Sequence, residues 1–127
     1  MTTVRRLRAL AAAALGTLPL CGCTPPPHPL SYAADVAPIL AQRCVECHGP
    51  GGVGYERSGL DLRSYATVMK GTRFGPVVVS GDTVGSVLLQ LVEHRADPAL
   101  DMPHGREKLP PREIEVLRVW IEQGAKP

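Results

Sequence analysis

Five consecutive residues constrain this chain more than any others: Cys44-Val45-Glu46-Cys47-His48. Two cysteines with two residues between them, and a histidine directly after the second, form the pattern to which c-type haem is attached. The chemistry dictates the spacing. Each thiol adds to one vinyl group of a porphyrin, and the two vinyls sit on neighbouring pyrroles. The next residue then lies under the iron, where an imidazole nitrogen can bind it. A chain built on this pattern has to fold around a flat apolar disc.

Other uses of a CxxC pair fit less well. In thioredoxin-like proteins the pair opens a helix after a strand, within alternating strands and helices. Here it follows a helical stretch, and no such alternation surrounds it. A structural zinc site draws four ligands, normally from two knuckles. The chain has one CxxC, so His94 and His104 would have to complete the set. A plain disulfide across two intervening residues is sterically poor without a redox role.

The N-terminus has a different character. Arg5, Arg6 and Arg8 precede an almost wholly apolar run, Ala9 to Leu20. That run is shorter than the roughly 20 residues a membrane-spanning helix needs. It also lacks the polar face of an amphipathic helix. A basic start followed by a short apolar run is the form of a secretory signal. Leu20-Cys21-Gly22-Cys23 resembles the bacterial lipobox, with Leu three positions before the modified cysteine and a small residue just before it. Residues 1–23 are therefore expected to be a lipoprotein signal and lipobox, with Cys23 as the lipidated residue. Cys21 fits less well, because bulky Leu20 and Pro19 precede it; ordinary cleavage nearby is the alternative. A lipid would anchor the protein to a membrane without spanning it. The chain carries 14 basic and 12 acidic residues. Without the three leader arginines the balance is 11 against 12, so the alkaline character belongs to the leader. With no basic stripe and few aromatics, nucleic acid is not an expected partner.

Residues 24–30 are a proline-rich linker, in which polyproline geometry favours a semi-rigid spacer. His28 lies in it and is expected to be solvated. Residues 31–127 form the folded domain, small for a purely apolar core, and a bound porphyrin would supply the missing hydrophobic centre.

Within that domain, Tyr32 to Arg43 reads as a helix, with Val36, Ile39 and Leu40 on one face. Either Asp35 caps it with Pro38 in the first turn, or it begins near Ser31 and kinks at Pro38. Gly49 to Gly59 holds five glycines and one proline and reads as a loop. Ser64 caps a short helix, Tyr65 to Lys70, which Gly71 stops. Val77 to Val79 suggests a strand fragment too short to build a sheet. A helix capped by Asp82 or Thr83 runs to about Glu93, with Val84, Val87, Leu88 and Leu91 as its apolar stripe. Arg95 to Leu109 is irregular. The last helix starts at Pro110-Pro111, buries Ile114, Leu117 and Ile121, and ends at Gly124. The expected fold is all-α, small, with long loops wrapped around one covalent haem.

If His48 is one axial ligand, the other position is open to Met69, His94, Met102 or His104. Met69 sits where a core residue is expected, and His94 stands among charged neighbours at a helix end. Met102 lies in an irregular loop before the final helix, and His104 is two residues away. A thioether ligand raises the potential, whereas a second imidazole lowers it.

From Tyr32 to Ala125 the chain resembles the single-haem class I cytochromes c of exported bacterial proteins, in particular the planctomycete-type cytochrome c domain. The pieces that carry the resemblance occur in order. They are Asp35-Val36-Ala37-Pro38-Ile39-Leu40, Cys44 to Gly49, Gly59-Leu60-Asp61-Leu62, Gly81-Asp82 leading to Ser86-Val87-Leu88, Met102-Pro103, and Glu113-Ile114 with Trp120 to Ala125. The resemblance implies that Cys44 and Cys47 carry the haem, that His48 and Met102 are the axial ligands, and that the first and last helices cross beside the haem. The chain departs from the family at Pro110-Pro111, where Ser or Thr-Asp is frequent, and at His104, where a second proline is frequent.

The function expected is transfer of one electron between exported redox proteins or enzymes, with no small-molecule substrate. No convincing set of nucleophile, base and oxyanion donors appears. Two other classes compete. One is a haem-based gas sensor in which Met102 is labile. The other is an accessory electron-transfer subunit of a larger exported oxidoreductase. The compartment expected is the periplasm or the outer face of a bacterial membrane. The group that orients His48 is not evident from sequence, and Pro76 is one suggestion.

Overall fold

In the computed structural model, residues 28–127 are described. The leader, Cys21, Cys23 and most of the linker lie outside the described residues; His28, near the linker's end, is exposed. Ser31 opens the first helix. Its extended backbone lets Oγ accept from the Ala34 N–H, and Asp35 in turn accepts from the Ser31 N–H at 2.8 Å. Asp35 is thus the reciprocal partner of the cap, and Ser31 is the cap itself. The chain then makes a π-helical turn, Tyr32–Val36, and continues as α1, Ala37–Arg43. The wide turn is where Pro38 is absorbed. A proline ring crowds the carbonyl four residues back, and the Ala37 N–H reaches instead to the Tyr32 carbonyl five residues back.

The glycine-rich stretch read as a loop contains a short helix, α2, Val53–Ser58. It has no side-chain cap and buries no residue completely, so it left no periodic signature. Helix α3, Tyr65–Lys70, forms where expected, with Ser64 and Thr67 closing a reciprocal capping box and Gly71 ending it. Val77 to Val79 forms no strand; among the described residues the one β-bridge joins Thr72 to Gly75. Val77 and Val78 are buried, and the Val77 carbonyl accepts from the Leu88 N–H.

The helix expected from Asp82 is shorter: α4 spans Val87–Val92. Asp82 Oδ1 accepts from the N–H groups of Val84 and Gly85, closing an Asx turn that the sequence pattern merges with the helix. Val84 consequently projects from that turn, 72% exposed, instead of joining the apolar stripe. Fully buried Ser86 locks the turn: its Oγ accepts from Val79 N–H and approaches the Asp82 carbonyl at 2.6 Å. A 3₁₀ turn, Pro98–Leu100, interrupts the following loop, and α5, Pro111–Glu122, closes the domain. The architecture is all-α, as expected from sequence.

Trp120 on α5 is the centre of the core. It is fully buried, its ring centroid lies 6.1 Å from that of Tyr32, and Tyr65 meets Tyr32 edge-on at 5.7 Å. Its indole N–H donates to the Lys126 carbonyl at 2.7 Å, and the Tyr32 N–H donates to the same carbonyl. One acceptor therefore ties both ends of the domain together. Arg43, the last residue of α1, forms a two-pronged ion pair with Glu113 in the first turn of α5. The first and last helices are thus paired, and Cys44 follows directly from that joint.

Candidate functional site

The motif emerges from α1 with its backbone satisfied. The N–H groups of Cys44 and Val45 both bond the Leu40 carbonyl, and those of Cys47 and His48 both bond the Cys44 carbonyl. The outgoing carbonyls are satisfied too: Cys47 accepts from Tyr55 N–H, and His48 from Leu62 N–H at 2.8 Å. Gly52 permits the first of these approaches, since a Cβ there would lie 2.4 Å from the Cys47 carbonyl oxygen.

Both motif cysteines are half-buried, and their thiols are free of each other. Burial pushes the Cys44 thiol up to about 11, with the Glu113 carboxylate adding to the rise. It is thus held as a protonated thiol at neutral pH, unlike the low-pKa thiolate of a redox-active pair. Among the described residues, no three His, Cys, Asp or Glu side chains converge as a metal site.

The thiols and the imidazole open onto a cavity of about 400 Å³. That is within the range of roughly 300–1,000 Å³ usual for cofactor and ligand sites. Leu40, Leu60, Leu62, Val77, Leu88, Leu91 and Val92 make its apolar wall, and Met102, Pro103 and His104 complete it. The charged groups in the wall are Arg43, Arg57 and Arg106, all cationic. Helix α5 contributes nothing to this lining and serves as the frame behind it. An open depression of about 740 Å³ beside Glu93, Arg95, Lys108 and Arg118 holds none of the motif residues, and Arg95 and Arg118 both pair with Glu93 there.

Burial holds His48 below the usual imidazole value, opposed by a contact with the Leu60 backbone. The ring is therefore kept neutral, the form that ligates a metal. Its Nδ1 is buried without a hydrogen-bond partner. The ring nests against Gly54 of α2, where a Cβ would stand 2.6 Å from Cε1, 2.8 Å from Nδ1 and 2.9 Å from Nε2. Gly54 and the Leu60 backbone thus bracket the imidazole, where the sequence suggested Pro76. Gly54 was invisible in the sequence because one glycine among five in a stretch reads as loop.

The residues considered for the opposite side separate cleanly. Met102 and His104 line the cavity; Met69 and His94 do not. Met69 packs against the hydrophobic core, as its spacing suggested. His94 is not merely solvated. Its Nε2 lies 3.1 Å from the Met102 carbonyl oxygen and its Nδ1 lies 3.4 Å from Asp101 Oδ2. Across the cavity, Arg106 pairs with Glu46 of the motif at 2.8 Å.

An all-helical domain whose CxxCH motif faces an apolar cavity has the architecture expected of a small cytochrome c domain. Residues 44–104 match the family model described as Planctomycete cytochrome C, and this stretch is therefore similar to the planctomycete-type cytochrome c domain. The match begins at the first motif cysteine and ends at His104, and so takes in both sides of the cavity. No curated protein and no solved structure matches the chain. Cytochrome c domains carry covalently bound haem c. The residues fit that group: two thiols at the attachment spacing, a neutral imidazole with an unpartnered buried nitrogen, and an apolar wall. Among the described residues no helix is long and apolar enough to cross a membrane.

Proposed function

We propose that the protein is an exported electron carrier holding one haem c, with thioether bonds to Cys44 and Cys47 and axial bonds from His48 and Met102. On this reading a lipid on Cys23 tethers it to the outer face of a bacterial membrane, on the periplasmic side, and residues 24–30 act as spacer. The partner is another exported redox protein or enzyme, met through a small and short-lived contact. The observation that carries the reading is the presence of both thiols, the His48 ring and Met102 in the wall of one apolar cavity.

Haem c supplies the one-electron chemistry. The chain does the rest. The Cys44 and Cys47 thiols would hold the group, each adding across one vinyl double bond with sulfur going to one carbon and hydrogen to the other. The His48 imidazole, kept neutral by burial, offers a nitrogen lone pair to the iron. The Met102 thioether, which lines the same cavity, would be the second protein ligand, a donor that favours the ferrous state and raises the potential. With two ligands supplied by the protein, the bound group would have no open position for a substrate and would serve one-electron transfer. The leucines and valines of the wall keep water off the iron. Met102 is preferred to His104 because it is half-buried, whereas His104 is exposed.

The test is a pair of variants matured with haem. Met102→Ala is expected to lose the absorption band of iron–methionine ligation and to bind carbon monoxide readily when reduced; His104→Ala is expected to keep the band. The opposite pattern would transfer the ligand role to His104. Release of a Cys23→Ser variant from membranes tests the anchor.

A further inference from the structure

We propose that His94 is the positioning residue of the Met102 side of the site, acting through the Met102 main chain; this rests on Met102 being an axial ligand. The peptide groups of Met102 are held at two points by the end of α4. Its N–H donates to the Leu91 carbonyl at 3.2 Å. Its carbonyl oxygen lies 3.1 Å from His94 Nε2. A carbonyl oxygen only accepts, so the imidazole nitrogen is the donor. The other ring nitrogen, Nδ1, lies 3.4 Å from Asp101 Oδ2, a contact that is attractive when both ring nitrogens carry hydrogen. The Leu91 tie is main chain and comes with the helix end. The His94 tie depends on one side chain.

His94 holds this place at a cost in backbone freedom. Its φ is +59°, a left-handed conformation uncommon for a residue with a side chain. That conformation ends α4 and turns the chain into the loop that returns to Met102. Its side chain is 28% exposed, and it does not line the cavity. It is therefore not a rival ligand. Its reach is to the peptide of the residue whose thioether lines the wall. An axial bond to a loop methionine holds only as well as the loop is held, and among the described residues His94 supplies the one side-chain hydrogen bond to that peptide.

Two substitutions separate this role from general stability. His94→Asn tolerates the left-handed backbone and can place a nitrogen near the Nδ1 position, but is too short to reach the Met102 carbonyl. His94→Gln can carry an amide nitrogen to the Nε2 position. In the haem-loaded full chain, the iron–methionine band is followed during urea titration beside helical circular dichroism, and amide exchange of Met102 is measured. In His94→Asn the detached fraction, read from the band before global unfolding, is expected to rise about tenfold, the effect of losing one hydrogen bond to a part-buried carbonyl. Met102 exchange should speed up by a similar factor. His94→Gln is expected to restore both to within about threefold of the parent. A band and exchange rate unchanged in His94→Asn, or a Gln variant no better than Asn, would overturn the proposal. If the parent shows no iron–methionine band, the axial assignment itself fails. Met102 exchange, which needs no iron bond, then decides whether His94 holds the loop.

Discussion

Replacing Gly54 by alanine tests how tightly the proximal imidazole is seated. Two effects oppose each other. Alanine inside an α-helix is favoured over glycine by about 1 kcal/mol, and Gly54 lies within α2 in a conformation that needs no left-handed φ. Against this, the new methyl would stand 2.6 Å from His48 Cε1, while ordinary contact begins at 3.4 Å. The difference, 3.4 − 2.6, requires a retreat of 0.8 Å. An imidazole bonded to iron cannot make that retreat alone, so α2 must move, and α2 is tied to the motif through Tyr55 N–H and to the next loop through Arg73 N–H. Overpacking of this kind costs about 1–3 kcal/mol. The net expectation for the haem-loaded protein is a loss of about 0–2 kcal/mol, the overpacking range less the propensity gain. Gly54→Val, with a larger side chain and poorer helix propensity, should lose about 1 kcal/mol more. Both variants should perturb the haem spectrum through the His48 bond. The assay is urea unfolding of the loaded protein, followed by haem absorbance and circular dichroism. A Gly54→Ala protein about 1 kcal/mol more stable than the parent, with an unaltered spectrum, would show that propensity alone acts at this position and refute the seating.

Ser86→Ala should lose about 1–3 kcal/mol in denaturant titration, because it strands the Val79 N–H inside the turn before α4; a loss below about 0.5 kcal/mol, the low end for a hydrogen bond, would count against that lock. Trp120→Phe keeps an aromatic ring in the core but frees the Lys126 carbonyl of one of its two donors, and should cost about 1–3 kcal/mol in thermal unfolding. Tyr32 resists ionisation: burial raises its hydroxyl above the usual value of 10.0, and Asp61 adds to the rise. The unfolded chain therefore releases this proton first, so the stability Tyr32 contributes is complete below pH 10.0 and is lost as pH rises through its higher folded value. Tyr32→Phe should flatten that alkaline loss, measured by urea unfolding from pH 9 to 11 (about one unit either side of the free phenol); an equally steep loss in the variant would exclude Tyr32 as its source.

Much of the fold can be read from residue types, where those types leave little choice. Ser64, Thr67 and Gly71 bracket α3 as their capping chemistry requires. Ile114, Leu117 and Ile121 give α5 its buried face. What escaped the sequence depends on groups distant along the chain. Helix α2 has no cap and a glycine inside it, and that glycine faces an imidazole six residues earlier. The π turn before α1 is a response to Pro38 that helical periodicity cannot register. Asp82 satisfies nearby N–H groups in a turn, and its preference for such turns is easily read as a helix start. The site divides in the same way. Cys44, Cys47 and His48 are legible because porphyrin chemistry fixes their spacing. The sequence already set Met102 and His104 ahead of Met69 and His94, and in the fold only the first two line the cavity. The role of His94 required the fold: a charged-neighbourhood histidine in the sequence, it is a partner of the Met102 peptide in space.

The central claim is that haem is bound to this chain through Cys44 and Cys47. The most direct test is the mass of the peptide spanning the motif, taken from full-length protein produced with a haem c maturation system and then denatured. The account predicts a single haem retained on that peptide after denaturation, attached at both cysteines, with Cys44→Ser and Cys47→Ser each removing one of the two thioether bonds. A motif peptide of unmodified mass, with the colour released on denaturation, would contradict it.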